Sequence, residues 1–168
     1  DDWLQGWGRI GLSGVDTRAL TRRIRLGGAP NVAIAHAPDG AIDVETLAAQ
    51  ARAWPGLEGM DLAREVTTRQ TYGWDEGNWR LGEGYAPATG DGGNRPHVVA
   101  IDYGIKRAIL RNLVNAGARV TVLSATASFE EIMAHRPDGI FLSNGPGDPA
   151  ATGVYAVPVI QQLLNAGL

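Results

Sequence analysis

Two glycines flanking one proline, in the segment Ser143–Pro149 (SNGPGDP), are the residues of this 168-residue chain best suited to chemistry. Glycine lacks a β-carbon, so a ligand can approach its backbone closely, and it can take positive φ. The prolines stiffen the segment and contribute no amide of their own. The expected result is a rigid turn presenting the amides of Gly145 and Gly147. Such amides can hold an anion or a developing oxyanion. The same residues also suit an ordinary turn, because Asn-Gly and Asp-Pro are common turn formers. No Gly-Lys-Ser/Thr is present, so this is not a Walker loop. A second candidate, Asp102–Lys106 (DYGIK), is weaker: Lys106 can act as a ligand group, but a lysine in a first helical turn is more often simply solvated.

Composition narrows the chemistry further. The chain has no cysteine, which excludes disulfides, zinc–thiolate sites and a cysteine nucleophile within these residues. No metal site is expected. The apolar fraction of 44% is that of a globular protein. The net charge of -3 comes from interspersed acids and bases, so no nucleic-acid partner is expected, since phosphate binding needs clustered positive charge. No apolar run approaches a membrane span, and no membrane partner is expected. The absence of disulfides fits a cytoplasmic protein.

The elements that must position the two loops are legible after residue 96. Val98–Asp102, Arg119–Leu123 and Gly139–Leu142 read as short strands. An amphipathic segment with Ile109, Leu110, Leu113 and Val114 on one side falls between the first two. A capping box, Ser128 with Glu131, opens a helix that must end before Pro137. Val157, Ile160 and Leu164 mark a third helix face, and Pro158 is expected in that helix's first turn. Strand alternating with helix predicts a parallel, doubly wound sheet. Ligands bind such sheets at the carboxyl ends of the strands, where both candidate loops fall.

Before residue 96 the reading is mixed. Asp16 caps a predicted helix over about 17–26, and Asp43 caps another over about 44–54. Residues 31–35 read as a strand, and a helical turn is expected after Asp61. Residues Gly82–Pro96 hold five glycines and two prolines, which is linker chemistry. This gives an expected division into 1–84, a linker at 85–96, and 97–168. Both ends look cut. Asn165-Ala166-Gly167 repeats Asn115-Ala116-Gly117, which precedes a strand, so a further strand is expected to begin at Leu168.

Four segments carry a resemblance to a known family. Leu142–Pro149 (LSNGPGDP) is similar to the strand–loop signature of class I glutamine amidotransferases, in the spelling typical of the small subunit of carbamoyl-phosphate synthetase. Ser13–Arg22 (SGVDTRALTR), Gly56–Thr67 (GLEGMDLAREVT) and Val99–Arg107 (VAIDYGIKR) resemble three further segments of that subunit, in the family's order. The resemblance implies a flavodoxin-like amidotransferase fold for 97–168, incomplete at its end, preceded by part of the subunit's mixed α/β amino-terminal domain. It also implies that Gly145 and Gly147 contact L-glutamine, with the first helping to form the oxyanion hole. The family's nucleophilic cysteine, in a Gly-[Ile/Val]-Cys-Leu-Gly-His-Gln elbow, and the histidine and glutamate of its triad are absent from these residues. No catalytic residue is therefore expected in this chain. His36, His97 and His135 match no triad position and read as surface or structural residues. The implied activity is glutamine hydrolysis supplying ammonia to a large subunit that binds ATP and magnesium and uses bicarbonate. No cofactor is implied for this chain itself, and the chain alone is expected to be inactive.

Two other readings compete. A nucleotide-binding doubly wound domain wants a glycine-rich turn after its first strand, and Tyr103-Gly104-Ile105 is not one. A non-catalytic module docking on the large synthetase subunit is the stronger alternative. The basic cluster Arg18, Arg22, Arg23 and Arg25 suits such an interface, although it also suits a solvated helix face.

Overall fold

The computed structural model describes residues 2–87 and 95–168. Its contacts divide the chain into two compact units, one ending at Gly56 and one running from Leu57 to Leu168. Residues 57–84 belong to the same compact unit as the sheet that follows them. The expected linker is partly strand, and its residues 88–94 lie outside the described residues.

The first unit contains helices α1 (Asp2–Gly6), α2 (Thr17–Gly27) and α3 (Val44–Ala53). The predicted caps hold: Asp16 accepts from the Ala19 amide, and Asp43 accepts from those of Glu45 and Thr46. None of the three helices has a buried residue. The strand predicted over 31–35 does not form. A strand needs a partner for its backbone amides and carbonyls, and the described residues of this unit contain no other strand.

The second unit opens with α4 (Leu62–Val66), β1 (Tyr72–Trp74), β2 (Glu76–Arg80) and β3 (Gly84–Pro87). It continues with β4 (His97–Asp102), α5 (Arg107–Asn115), β5 (Arg119–Ser124), α6 (Phe129–Ala134), β6 (Gly139–Leu142) and α7 (Pro149–Asn165). β4 pairs in parallel with both β5 and β6, as the strand–helix alternation predicts. β1 adds an antiparallel edge, giving the order β1-β5-β4-β6. β2 and β3 form a separate hairpin, tied to α5 by an Arg111–Glu76 ion pair of 2.7 Å.

Both faces of the sheet are covered. On one, Val99, Ile101 and Leu123 pack with Ile132 of α6 and Leu163 of α7. On the other, Ala100, Val120 and Val122 pack with Leu110 and Val114 of α5. Since β4 sits between β5 and β6, the chain passes from one side of β4 to the other after β5. That reversal makes the carboxyl ends of β4 and β6 the switch point where ligands bind in open α/β sheets. The loops 103–105 and 143–148 both lie there.

α7 corrects one expectation. It begins at Pro149, where Asp148 accepts from the Ala150 amide and Pro149 occupies the first turn. Pro158 therefore sits inside the helix rather than in its first turn. Proline cannot donate to the carbonyl four residues earlier, and that carbonyl belongs to Val154, an exposed residue.

Candidate functional site

The loop after β6 is held from three directions. Ser143 ties it to the loop after β4, accepting from the Tyr103 amide at 2.9 Å and donating to the Asn144 carbonyl at 2.8 Å. That hydroxyl thus accepts one bond and gives its proton to another, which suits a clip between two loops rather than a nucleophile. Asp102, buried at the end of β4, accepts from the amides of Gly104, Ile105 and Thr68 at 2.7–2.9 Å. Those bonds fix the neighbouring loop against which Gly145 packs. Lys106 precedes the first turn of α5, is exposed, and makes no capping bond.

The third direction is the segment before α4. Asp148 accepts from the Gly59 amide at 2.8 Å, and its own amide donates to the Met60 carbonyl at 2.9 Å. The Gly59 amide, and then that of Ala150, hold the Asp148 carboxyl below the usual carboxylate range. Asp61, which caps α4, accepts from Tyr155 Oη at 3.0 Å and Thr152 Oγ1 at 3.3 Å, both on α7. Burial, then the bond to Asp61, pushes the Tyr155 phenol up, so it stays a donor. The sequence shows nothing of these contacts beyond the helical turn expected after Asp61.

The two glycines earn their identity from this packing. A β-carbon on Gly145 would collide with the Tyr103 carbonyl oxygen, and the Tyr103 Cβ would be 3.0 Å away. Gly147 has φ +86°, and a β-carbon there would meet the Met60 carbonyl and lie 2.9 Å from the Leu62 amide nitrogen. Each α-carbon is therefore pressed against backbone. Among the described residues, neither glycine amide donates a hydrogen bond within the protein. Beside the loop lies a cavity of about 360 Å³, lined in part by Ser143, Gly145, Gly147, Thr152 and Gly153.

His97 and His135 lie near the amino end of β4, about 16 Å of strand away from the loops. His97 is buried between Thr121 Oγ1 at 2.8 Å and the His135 carbonyl at 3.0 Å. Burial, then the Arg119 charge, holds its imidazole below the ordinary value. The unfolded chain therefore takes up a proton more readily than the folded one. The contribution of His97 is fully present above about pH 6.5 and is lost as pH falls through the lower folded value. Urea midpoints are expected to drop between about pH 7.5 and about pH 5.5, and to drop less in His97→Gln. An equal drop in the variant would remove His97 from the account.

Residues 99–168 match the family model "Glutamine amidotransferase class-I". The chain is 64% identical over 165 residues to the carbamoyl phosphate synthase small chain of Zymomonas mobilis, covering 98% of this chain and 44% of that one. It is 56% identical to that of Caulobacter vibrioides (99% and 42% covered) and 57% identical to that of Rhizobium meliloti (100% and 42%). The chain thus spans less than half the length of these relatives. The packed loop after β6 falls inside the matched amidotransferase region. The chain therefore belongs with the carbamoyl phosphate synthase small chains, of which it represents a part, and its residues 99–168 belong to the class-I glutamine amidotransferases.

Proposed function

We propose that this chain supplies one side of the glutamine site in the small subunit of a glutamine-hydrolysing carbamoyl phosphate synthase. The observation that carries the reading is the pair of glycine amides, Gly145 and Gly147, which have no acceptor among the described residues and lie at the carboxyl end of β6 beside a cavity. In this reading a cysteine thiolate elsewhere in the subunit attacks the carboxamide carbon of glutamine. The carbonyl electrons move onto oxygen, and the Gly145 amide donates to that oxyanion. Collapse breaks the C–N bond as the nitrogen takes a proton from the triad histidine elsewhere in the subunit, so ammonia leaves and a thioester remains, which water hydrolyses to glutamate with return of the thiol. The ammonia passes to a large subunit, which binds ATP and magnesium and uses bicarbonate. The 168 residues contain no cysteine, so the chain by itself has no glutaminase activity by this route.

The first unit supports a second role within the same subunit. Its helices bury nothing, and Trp3, Trp7, Leu26 and Val32 are exposed. Contact with the large subunit would cover such a surface.

A chimera tests the proposal. This chain replaces the matching stretch of the Zymomonas mobilis small chain, and the product is paired with its large subunit. Glutamine-dependent carbamoyl phosphate synthesis is expected to stay within about tenfold of the parent, one decade of rate. Retained synthesis from added ammonia with no synthesis from glutamine would sink the reading.

A further inference from the structure

We infer that residues Gly59–Leu62 act as a strap that sets the orientation of the Gly145–Gly147 loop, with Asp148 and Asp61 as positioning residues for the glutamine reaction. The inference rests on the proposed role of that loop. It gives a physical task to a motif that otherwise serves only to mark the family.

The strap is fastened at both ends. At the loop, Asp148 and the strap exchange two bonds: the carboxylate accepts from Gly59, and the Asp148 amide donates to the Met60 carbonyl. At the helix, Asp61 accepts from Thr152 and Tyr155, one and two turns into α7. The Arg64 guanidinium lies 4.8 Å from the Tyr155 ring centre and 3.5 Å from Asp61 Oδ2, closing the cluster. Between these fastenings, the Met60 carbonyl and Leu62 amide press on the α-carbon face of Gly147 and leave no room for a side chain. The loop is thus sandwiched between the Tyr103 backbone on the Gly145 side and the strap on the Gly147 side. Among the described residues the Gly145 and Gly147 amides have no intramolecular acceptor to fix their direction, so their aim is set by this sandwich. Loosening the strap moves the amides without removing them.

That distinction makes the test specific. In the full-length subunit assembled with its large partner, Asp148→Ala and Asp61→Ala are expected to lower glutamine-dependent kcat by about ten- to a hundredfold, the cost of a misplacement near 1 Å. The glutamine KM is expected to change far less, and ammonia-dependent synthesis to persist. Asp148→Asn, which keeps one acceptor oxygen, is expected to recover part of the loss, and it also serves if the alanine variant folds poorly. Gly145→Ala is measured alongside. Unchanged kcat in both aspartate variants while Gly145→Ala is impaired would overturn the strap and leave the glutamine site standing. Equal loss with glutamine and ammonia would mean that the aspartates only maintain the fold, which also overturns it. If Gly145→Ala too is unimpaired with glutamine, the reading of the loop fails and the strap inference fails with it.

Discussion

In a complete subunit paired with its large partner, Gly145→Val lowers glutamine-dependent synthesis by about two to three orders of magnitude, the cost of losing one oxyanion donor. Synthesis from added ammonia continues, because that chemistry belongs to the large subunit in the proposed division of labour. The resemblance implies that a bulky side chain here both enters the space beside glutamine and disturbs the oxyanion amide. The structure gives the second effect a cause of its own. The β-carbon of any residue at 145 points at the Tyr103 carbonyl oxygen, so even alanine forces the loop and the end of β4 apart. The amide then moves off its line. Gly145→Ala should therefore carry most of the effect of Gly145→Val, whereas a clash confined to the ligand space would spare alanine. Assaying both variants with glutamine and with ammonia separates these causes. Loss with both nitrogen sources would mark the loop as structural only.

How much of this was legible beforehand follows from the range of the interactions. β4, β5 and β6 announce themselves as short apolar runs, and α6 by its Ser128–Glu131 capping box, because those signals are local. The carboxyl-end position of the two loops then follows from the alternation of strand and helix. β1 does not announce itself. Tyr72-Gly73-Trp74 has only three residues, too few for an alternation to mark a strand, and it becomes one by pairing with Val120–Val122 some fifty residues later. The start of α7 was missed for a related reason: Pro149 and Gly153 read as loop residues until Asp148 is seen capping the first turn. The strap was illegible because its contacts join Gly59 to Asp148 across eighty-nine residues of chain. Nothing in either segment names the other. The glycines stand out in the sequence by residue type, but that a β-carbon on either would meet the backbone of Tyr103 or of Met60 and Leu62 is a long-range fact with no local signal.

Gly147→Ala should be among the most destabilising single-methyl additions in this chain. Two costs act together. The backbone at 147 has φ +86°, where an L-residue loses about 1–2 kcal/mol relative to its ordinary conformations. The added methyl also meets the Met60 carbonyl and the Leu62 amide, and overpacking against atoms that cannot rotate away costs about 1–3 kcal/mol. The expected sum is about 2–5 kcal/mol of unfolding free energy. Gly117→Ala supplies the control, since Gly117 also has positive φ, +94°, but nothing lies within 4 Å of its β-carbon position. It should lose only the conformational part, about 1–2 kcal/mol. Urea unfolding of the 168-residue chain measures both. The excess of Gly147→Ala over Gly117→Ala isolates the contact with residues 60–62. Equal losses would show that the strap yields freely at that point, and the loop would then have to be held by Ser143 and the Tyr103 backbone alone.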